Sequence, residues 1–429
     1  MNTKSNGIDR SRAIFCSSFI RDAAKEILRN GDAADRFIAS LFRRNHRIGS
    51  RDRRFLSDML FAWFRYFGWL KKAGLDENFD LSCAIVSLME GVMNGPVLSW
   101  IENSGLDRDR AARSLQIEDR TERFSYLSGT EVSRRELLPE WSLELLPSSV
   151  RDSDDFLEMF ESRPPMWLRA QCDFIAALQA DLMKDGFSSE RHERIPEALK
   201  IADARGSLYG SKAFSEGKFE IQDLSSQCIG LTCMAKPGGH WWDCCAGGGG
   251  KTLQLASVMK RKGSVYATDI RKYKLDDLKH RAERGDFPGI RTAEWNGNTL
   301  PAEQFDGVLA DVPCSASGRW RRNPDGRWTV TPERVRELCT IQSGILGKIR
   351  EAVKPGGVLV YATCSLFECE NESIVRTFLE KYPEFELEPF PSPLTGEMTD
   401  GMLRVFPGDA DSDASFAARM RRSTIKRKG

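Results

Sequence analysis

Two cysteines lie in short motifs that could carry nucleophilic chemistry. Cys314 follows a proline in the segment Asp311-Val-Pro-Cys-Ser, and Cys364 follows a threonine in Tyr-Ala-Thr-Cys-Ser. A thiolate attacks electron-poor carbon and can form a covalent intermediate. Asp311 could hydrogen bond a reacting ring as negative charge develops on it. Most of the eleven cysteines are expected to be small buried hydrophobes in a reducing compartment, because they show no metal-ligand spacing.

A run of four glycines offers a second candidate site. It lies in Asp243–Thr252 and predicts a turn from a strand into a helix, whose free N–H groups favour negative charge. Cys245 stands where a P-loop needs its first glycine, so the Gly-Lys-Thr sequence is a false match. A dinucleotide fingerprint is also excluded, because counting from Gly247 or Gly248 finds no glycine at its last position. S-adenosylmethionine is the third ligand class that such a turn can serve.

An S-adenosylmethionine site needs an acid at the end of the second strand, where it accepts hydrogen bonds from both ribose hydroxyls. Asp269, in Val-Tyr-Ala-Thr-Asp, stands at that position, although a helix N-cap is an alternative role for it. A cysteine beside a methyl donor suggests methylation of carbon 5 of a pyrimidine. That carbon becomes nucleophilic once a thiolate adds to carbon 6, and a base must then remove the carbon 5 proton so that the thiol can leave.

An open, mostly parallel α/β sheet would bring these motifs together. After Gln222, apolar strands alternate with helices, which is typical of a sheet with helices on both faces. Ligands bind beyond the carboxyl ends of such strands, so we expect the glycine run, Asp269 and both thiols at one edge. The predicted strands are Trp241–Cys244, Ser264–Thr268, Ile290–Ala293, Gly307–Ala310 and Val358–Ala362, with antiparallel strands near Gly401–Val405 and Ser415–Arg421.

Taken together, these motifs resemble the Sun/RsmB family of RNA (cytosine-5) methyltransferases, over about Pro164 to Arg421. The segments that carry the resemblance are Gly217–Gln227, Asp243–Thr252, Asp269, Asp311–Asp325 and Tyr361–Ser365. The resemblance implies a class I S-adenosylmethionine-dependent methyltransferase fold, Rossmann-like, with a mostly parallel seven-stranded sheet. It also implies S-adenosylmethionine as cofactor and RNA as substrate.

The resemblance further implies roles for individual residues. Cys364 would be the nucleophile and Cys314 the residue that assists product release, with Asp311 beside them; strand geometry and chemistry alone do not decide which thiol attacks. The implied cofactor contacts are Cys245, Ala246, Gly247, Gly248, Gly249, Gly250, Lys251, Asp269, Asn296 and Asp311.

Two positions depart from the family pattern. The family usually has Ala-Pro where this chain has Gly247-Gly248, so the loop should order at a greater entropic cost. At the third strand the family usually has aspartate, whereas this chain offers Asn296 or Asn298. Neither change removes a reactive group.

Arginine is concentrated near the N-terminus, with six in the twelve residues Arg43–Arg54. The choice of arginine over lysine favours phosphate contacts, while a solvated helix end is the alternative. The segment Ile48–Phe55 resembles the NusB-type domain of the bacterial rRNA branch, which favours ribosomal RNA over transfer RNA as substrate. The candidate RNA-binding residues are Arg51, Arg53, Arg54, Arg321 and Arg322.

A length of 429 residues predicts about three domains. They are a helical NusB-like RNA-binding domain at 1–150, a small α+β RNA-binding subdomain at 151–222, and the methyltransferase domain at 223–429. A net charge of +1 excludes a uniformly basic surface, so RNA must bind to a local patch. No stretch predicts a membrane span, a signal peptide or a metal site. We therefore expect a cytoplasmic protein. A monomer is expected as the default, since no feature of the sequence bears on oligomeric state.

Two other functions fit part of the pattern. A catalytically retired RNA-binding or assembly factor could keep the fold, but both cysteines and Asp311 are present. A DNA cytosine methyltransferase uses the cysteine of its Pro-Cys pair as nucleophile and has no second Thr-Cys.

Overall fold

The computed structural model describes residues 3–204 and 207–424; residues 1–2, 205–206 and 425–429 lie outside the described part. Contacts divide the chain into two units. The first comprises the chain up to Arg163 together with Arg319–Pro332, and the second comprises Pro164–Gly318 and the chain from Glu333 onward. The predicted division at residues 150 and 222, and the NusB-like character of the N-terminal part, stay predictions.

The first unit is built from helices, as its apolar periodicity predicts. The apolar residues Leu56, Met59, Leu60, Trp63 and Phe64 repeat at helical spacing and are all buried. Its helices are α1 (Thr3–Asn30), α2 (Ala34–Arg44), α3 (Ser50–Arg65), α4 (Phe67–Lys72), α5 (Phe79–Met89), α6 (Gly95–Ser104), α7 (Arg108–Ser114), α8 (Arg120–Ser128), α9 (Glu140–Leu143), α10 (Ser148–Arg151) and α11 (Asp154–Glu158), with short helical turns at Arg134–Leu137, Met159–Glu161 and Gly326–Thr329.

The segment Arg319–Pro332 is a structural part of this helical unit. The side chain of Arg327 is fully buried, and its guanidinium donates to the carbonyls of Leu137 and Phe160. The Asp325 carboxylate accepts a hydrogen bond from the N–H of Ala34 at the start of α2, at 2.8 Å. These bonds satisfy backbone groups that would otherwise be buried without partners.

The second unit begins with a small antiparallel sheet in the order β2-β3-β1-β4. Its strands are β1 (Met166–Ala170), β2 (Phe187–Arg191), β3 (Ala198–Ala204) and β4 (Phe219–Ile221). Helix α12 (Ile175–Lys184) covers it with Leu178 and Leu182, which are buried in the same cluster as Leu168 and Leu199. The predicted α+β character of this region is therefore observed.

The main sheet has eight strands, in the order β10-β12-β9-β8-β5-β6-β7 with β11 paired to β12. The strands are β5 (His240–Asp243), β6 (Ser264–Asp269), β7 (Ile290–Glu294), β8 (Phe305–Asp311), β9 (Val353–Thr363), β10 (Phe385–Leu387), β11 (Met402–Val405) and β12 (Ser415–Arg422). Strands β5 to β9 are parallel, and β12 runs antiparallel to β9. The three-residue strand β10 was not predicted from the sequence and brings the count from seven to eight.

Helices cover both faces of this sheet and form two separate apolar clusters. The helices of these two clusters are α14 (Leu224–Thr232), α15 (Gly250–Val258), α16 (Lys272–Arg284), α17 (Pro332–Ile349) and α18 (Glu372–Lys381). The other short elements of the chain from Pro164 onward are the helices α13 (Lys212–Ser215), which packs on the small sheet, and α19 (Pro407–Ala410), with turns at Leu208–Gly210, Ser317–Arg319, Arg350–Ala352 and Glu368–Glu370. The strand order reverses between β5 and β8, so the loop after β5 lies at the point where such sheets bind ligands.

No helix within the described ranges is long and apolar enough to cross a membrane. The described side chains also include no group of three His, Cys, Asp or Glu residues placed to hold a metal ion.

Candidate active site

The two motif cysteines meet at the ends of adjacent strands. β8 and β9 are parallel, with Asp311 opposite Ala362, so the loops that follow them lie side by side. The sulfur of Cys314 lies 3.4 Å from that of Cys364, and both cysteines are half-buried. The hydrogen bond with Cys364, together with burial, raises the pKa of Cys314 well above its ordinary value. Cys314 therefore keeps its proton at neutral pH.

A buried carboxylate holds both cysteine loops. Glu370 is 0% exposed, and one of its oxygens accepts from the N–H of Ser315 at 2.8 Å and from Gln342 Nε2 at 2.9 Å. Its other oxygen accepts from the hydroxyls of Ser315 and Ser365. Each serine directly follows one of the two cysteines, so Glu370 fixes the spacing of the thiols. The sequence analysis missed this residue, because an acid after Thr-Cys-Ser is equally typical of a solvated turn.

Lys251 connects the glycine loop to the thiols. Its ammonium lies 2.7 Å from a carboxylate oxygen of Asp311, and its side chain is only 14% exposed. Burial alone would lower the pKa of Lys251, but Asp311 and, more weakly, Cys364 raise it above its ordinary value. The lysine is therefore charged at neutral pH. The sequence places Lys251 among the cofactor contacts, as it does Asp311, and that role of Lys251 stays a prediction.

The glycine loop makes the predicted turn from β5 into α15. Gly249 has a φ of +86°, and a Cβ there would lie 2.5 Å from the Leu278 side chain, so only glycine fits. Gly247 is also left-handed, with a φ of +53°. No atom lies within 4 Å of where a Cβ on Gly250 would be, so the start of α15 is open to a ligand. Cys245 and Ala246 are half-buried in the same loop.

Asp269 ends β6 beside this loop, as predicted. One oxygen accepts from the N–H of Gly247 at 2.9 Å, and the other accepts from the Arg271 N–H and Nε, both at 2.9 Å. Burial would raise the pKa of Asp269, but the hydrogen bonds from Arg271 and Gly247 hold it below its usual value. An ionised acid beside an open helix start fits a ribose and its neighbouring groups. Arg271 was not singled out from the sequence.

Asn296 follows β7 in an exposed turn. Its side-chain oxygen accepts a hydrogen bond from the N–H of Asn298 at 3.0 Å, so Asn296 shapes the turn. The preceding residue, Trp295, donates its N–H to the carbonyl of Asp269 at 3.2 Å, which places this turn next to the second strand. Both asparagines are exposed, and the choice between them as a cofactor contact stays open.

The three candidate RNA-binding arginines of α3 are not equivalent. Arg51 and Arg54 are exposed at the start of the helix. Arg53 is half-buried, donates to the carbonyl of Ile48 at 2.8 Å and lies over the Phe42 ring. Arg53 therefore fixes the entry into α3, and Arg51 and Arg54 stay candidates for RNA contact.

The prediction that Arg321 contacts RNA is wrong for this conformation. The residue is 1% exposed, and its guanidinium donates to the carbonyl of Met159 at 2.8 Å and to the hydroxyl of Ser162 at 3.1 Å. The segment Arg319–Pro332, which follows Cys314 in the chain, belongs to the helical unit. The hydrogen bonds of Arg321 hold this segment within that unit. Its neighbour Arg322 is half-buried.

The sheet order, the glycine loop and the acid at the end of β6 define a class I S-adenosylmethionine-dependent methyltransferase, which confirms the predicted fold class. A family model described as 16S rRNA methyltransferase RsmB/F matches residues 231–421. Ribosomal RNA small subunit methyltransferase B of Enterobacter sp. (strain 638) is 33% identical over 301 residues, which cover 67% of this chain and 67% of that protein. The chain therefore belongs to the RsmB/F family of methyltransferases.

Two solved structures are similar to this chain in fold. The crystal structure of PH0851 superposes with a TM-score of 0.74 at 25% identity, covering 98% of this chain and 100% of that one. A methyltransferase homolog protein from Pyrococcus horikoshii gives a TM-score of 0.54 at 25% identity, covering 65% of this chain and 93% of that one.

Proposed function

We propose that the protein methylates carbon 5 of a cytosine in ribosomal RNA through a covalent cysteine adduct. The observation that carries the proposal is the pair of thiols 3.4 Å apart at the end of β8 and β9. Lys251, which pairs with Asp311, also interacts electrostatically with Cys364. Membership of the RsmB/F family supports the proposal, and the Enterobacter relative is a ribosomal RNA methyltransferase by name.

The two thiols take different parts in this reaction. Cys364 adds its sulfur to carbon 6 of the base, aided by the ammonium of Lys251, since a nearby cation favours the thiolate. Cys314 holds its proton during this attack, because the interaction with Cys364 and burial raise its pKa. After methyl transfer a base takes the carbon 5 proton, the electron pair of that C–H bond restores the ring double bond, and Cys364 leaves carbon 6 as a thiolate; Cys314 assists this release.

The carboxylic acid of Asp311 orients and stabilises the base. In its protonated form it donates a hydrogen bond to the ring nitrogen on which negative charge builds as Cys364 adds. The ammonium of Lys251 donates to the carboxyl group of Asp311, at 2.7 Å, and so limits the directions that Asp311 can take. The acid thereby couples the glycine loop to the position of the base.

The other edge of the site binds the methyl donor. S-adenosylmethionine supplies an electrophilic methyl group on its sulfonium when it is bound. The hydrogen bonds from Arg271 and Gly247 hold the pKa of Asp269 below its usual value, and this carboxylate would accept hydrogen bonds from the ribose hydroxyls. The turn at Asn296 and Asn298 would hold the adenine. RNA is held through phosphate contacts that include Arg51 and Arg54.

Transfer of tritium from labelled S-adenosylmethionine tests this function. Purified protein is incubated with ribosomal RNA, transfer RNA and DNA, and methylated cytosines are mapped by bisulfite sequencing. We expect label in ribosomal RNA at carbon 5. Label in DNA would indicate a DNA-type enzyme, and label in transfer RNA a different RNA substrate. RNA binding without any label would indicate a retired assembly factor.

A further inference from the structure

The glycine loop has an external support that the sequence did not indicate. In the Sun/RsmB family pattern an Ala-Pro pair stiffens this loop, and here Gly247-Gly248 takes its place. Two adjacent glycines give a chain its greatest conformational freedom, so ordering this loop around a ligand costs entropy. The guanidinium of Arg281, on α16, donates a hydrogen bond to the carbonyl of Gly248.

Arg281 is itself held in place by a buried acid. Its Nε and Nη2 donate to one oxygen of Glu220, at 3.1 and 2.8 Å. Glu220 lies on β4, is 3% exposed, and its other oxygen accepts from Arg284. The planar fork of Arg281 therefore spans from a fixed carboxylate to the loop, which the single ammonium of a lysine cannot do.

The guanidinium also takes the space beside Gly248 that a side chain would need. A Cβ built on Gly248 would lie 3.3 Å from Nη1 of Arg281, which is tighter than ordinary contact. Gly247 and Gly249 have a positive φ, whereas Gly248 does not. The backbone conformation at residue 248 therefore does not require glycine. The ring of a proline at residue 248 and the guanidinium of Arg281 would therefore occupy the same space.

We infer that Arg281 is a positioning residue for the cofactor: it holds the glycine loop in its binding conformation, in the place of the missing proline. The inference rests on the proposed use of this loop for S-adenosylmethionine. Arg281 does not lie among the residues that touch the reacting groups, so its effect should fall on cofactor binding and leave the chemical step unchanged.

The first test compares Arg281→Ala with Arg284→Ala by calorimetric titration with S-adenosylmethionine. Both variants remove one arginine from Glu220, but only the first releases the loop. We expect about tenfold weaker binding for Arg281→Ala, as for loss of a charged hydrogen bond, and wild-type affinity for Arg284→Ala. At saturating cofactor, kcat should stay near the wild-type value while KM for the cofactor rises. Equal affinities of the two variants would overturn the inference.

Arg281→Lys provides a version that keeps the charge next to Glu220 and so protects the fold. It should show the same loss of affinity, because lysine cannot reach both partners. Circular dichroism and thermal unfolding of each variant confirm that the loss is measured on folded protein. Wild-type affinity for S-adenosylmethionine in Arg281→Lys would contradict the claim that the guanidinium must bond Glu220 and Gly248 at the same time.

The second test is a rescue. Adding Gly248→Pro to Arg281→Ala should restore affinity to within about threefold of wild type, because proline lowers the entropic cost of ordering the loop. Gly248→Pro alone should not increase the affinity for S-adenosylmethionine, because the proline ring would clash with the guanidinium of Arg281. A double variant as weak as Arg281→Ala would overturn the inference, while normal cofactor binding by the wild-type protein would leave the proposed function standing. Wild-type protein that binds no S-adenosylmethionine would overturn both.

Discussion

The active site lies at the carboxyl ends of the parallel strands and has two sides, which are held by different means. The thiol edge comprises Cys314, Cys364 and their loops, and the cofactor edge comprises the glycine loop and Asp269. At the thiol edge, the fully buried Glu370 accepts hydrogen bonds from residues next to each cysteine. At the cofactor edge, the loop is held by Asp269, Arg271 and Arg281, and the side chain of Arg271 is 50% exposed. A covalent step requires fixed thiol positions, whereas a cofactor must enter and leave in every turnover. The contrast separates a rigid catalytic edge from an exchangeable binding edge.

The largest effect is expected at the rigid edge. Glu370→Ala leaves buried donors without an acceptor, at about 1–3 kcal/mol for each group, and frees the two cysteine loops. We expect kcat to fall about 100-fold, since a small misplacement of reacting groups has that effect. Affinity for S-adenosylmethionine should stay unchanged. Single-turnover kinetics and calorimetry measure the two quantities.

Glu370→Gln is the matched control. The amide keeps one acceptor for Ser315 N–H and Gln342, and the serine hydroxyls can turn to accept from its nitrogen. This variant should lose much less activity than the alanine variant. If both variants bind cofactor weakly, the separation between the two edges is wrong.

At the exchangeable edge, Asp269→Ala should weaken cofactor binding more than Asn296→Ala. Charge-assisted hydrogen bonds contribute about 1.5–3 kcal/mol each, against about 1 kcal/mol for a neutral amide bond. Loss of Asp269 also releases Gly247 and Arg271, which adds to the effect. Calorimetric titration with S-adenosylmethionine measures the affinities of the two variants and so shows which substitution weakens binding more. The opposite order would mean that the third strand turn, and not the second strand acid, anchors the cofactor.

The smallest effect is expected from the arginines of α3, which belong to neither edge. Replacing Arg51 and Arg54 by alanine should weaken RNA binding and reduce its salt slope by about one for each lost phosphate contact. Cofactor affinity should not change. Arg53→Ala should instead lower the melting temperature, because Arg53 holds the carbonyl of Ile48. If RNA affinity and its salt dependence are unchanged in Arg51→Ala/Arg54→Ala, these residues do not contact RNA and only form a solvated helix end.

The position of the active site, at the carboxyl ends of the parallel strands, could be predicted from the alternation of strands and helices in the sequence. The thiols, Asp269 and the glycine loop were expected at one edge because the carboxyl ends of parallel strands meet there, and the structure brings them to that edge. Glu370 was not predictable, since its contacts join residues from three separate segments of the chain. Arg321 looked like a surface arginine in a basic motif, and only the packing of Arg319–Pro332 in the helical unit shows it buried.

The central claim is that the two thiols have separate roles, and trapping of the protein–RNA adduct tests it most directly. Cys314→Ala and Cys364→Ala are incubated with RNA and S-adenosylmethionine and then resolved by denaturing electrophoresis. Cys364→Ala should form no adduct and no methylated RNA. Cys314→Ala should attack and methylate, then accumulate as a covalent adduct that carries the methyl group. Adduct accumulation in Cys364→Ala, with none in Cys314→Ala, would contradict the assignment and indicate that Cys314 is the nucleophile.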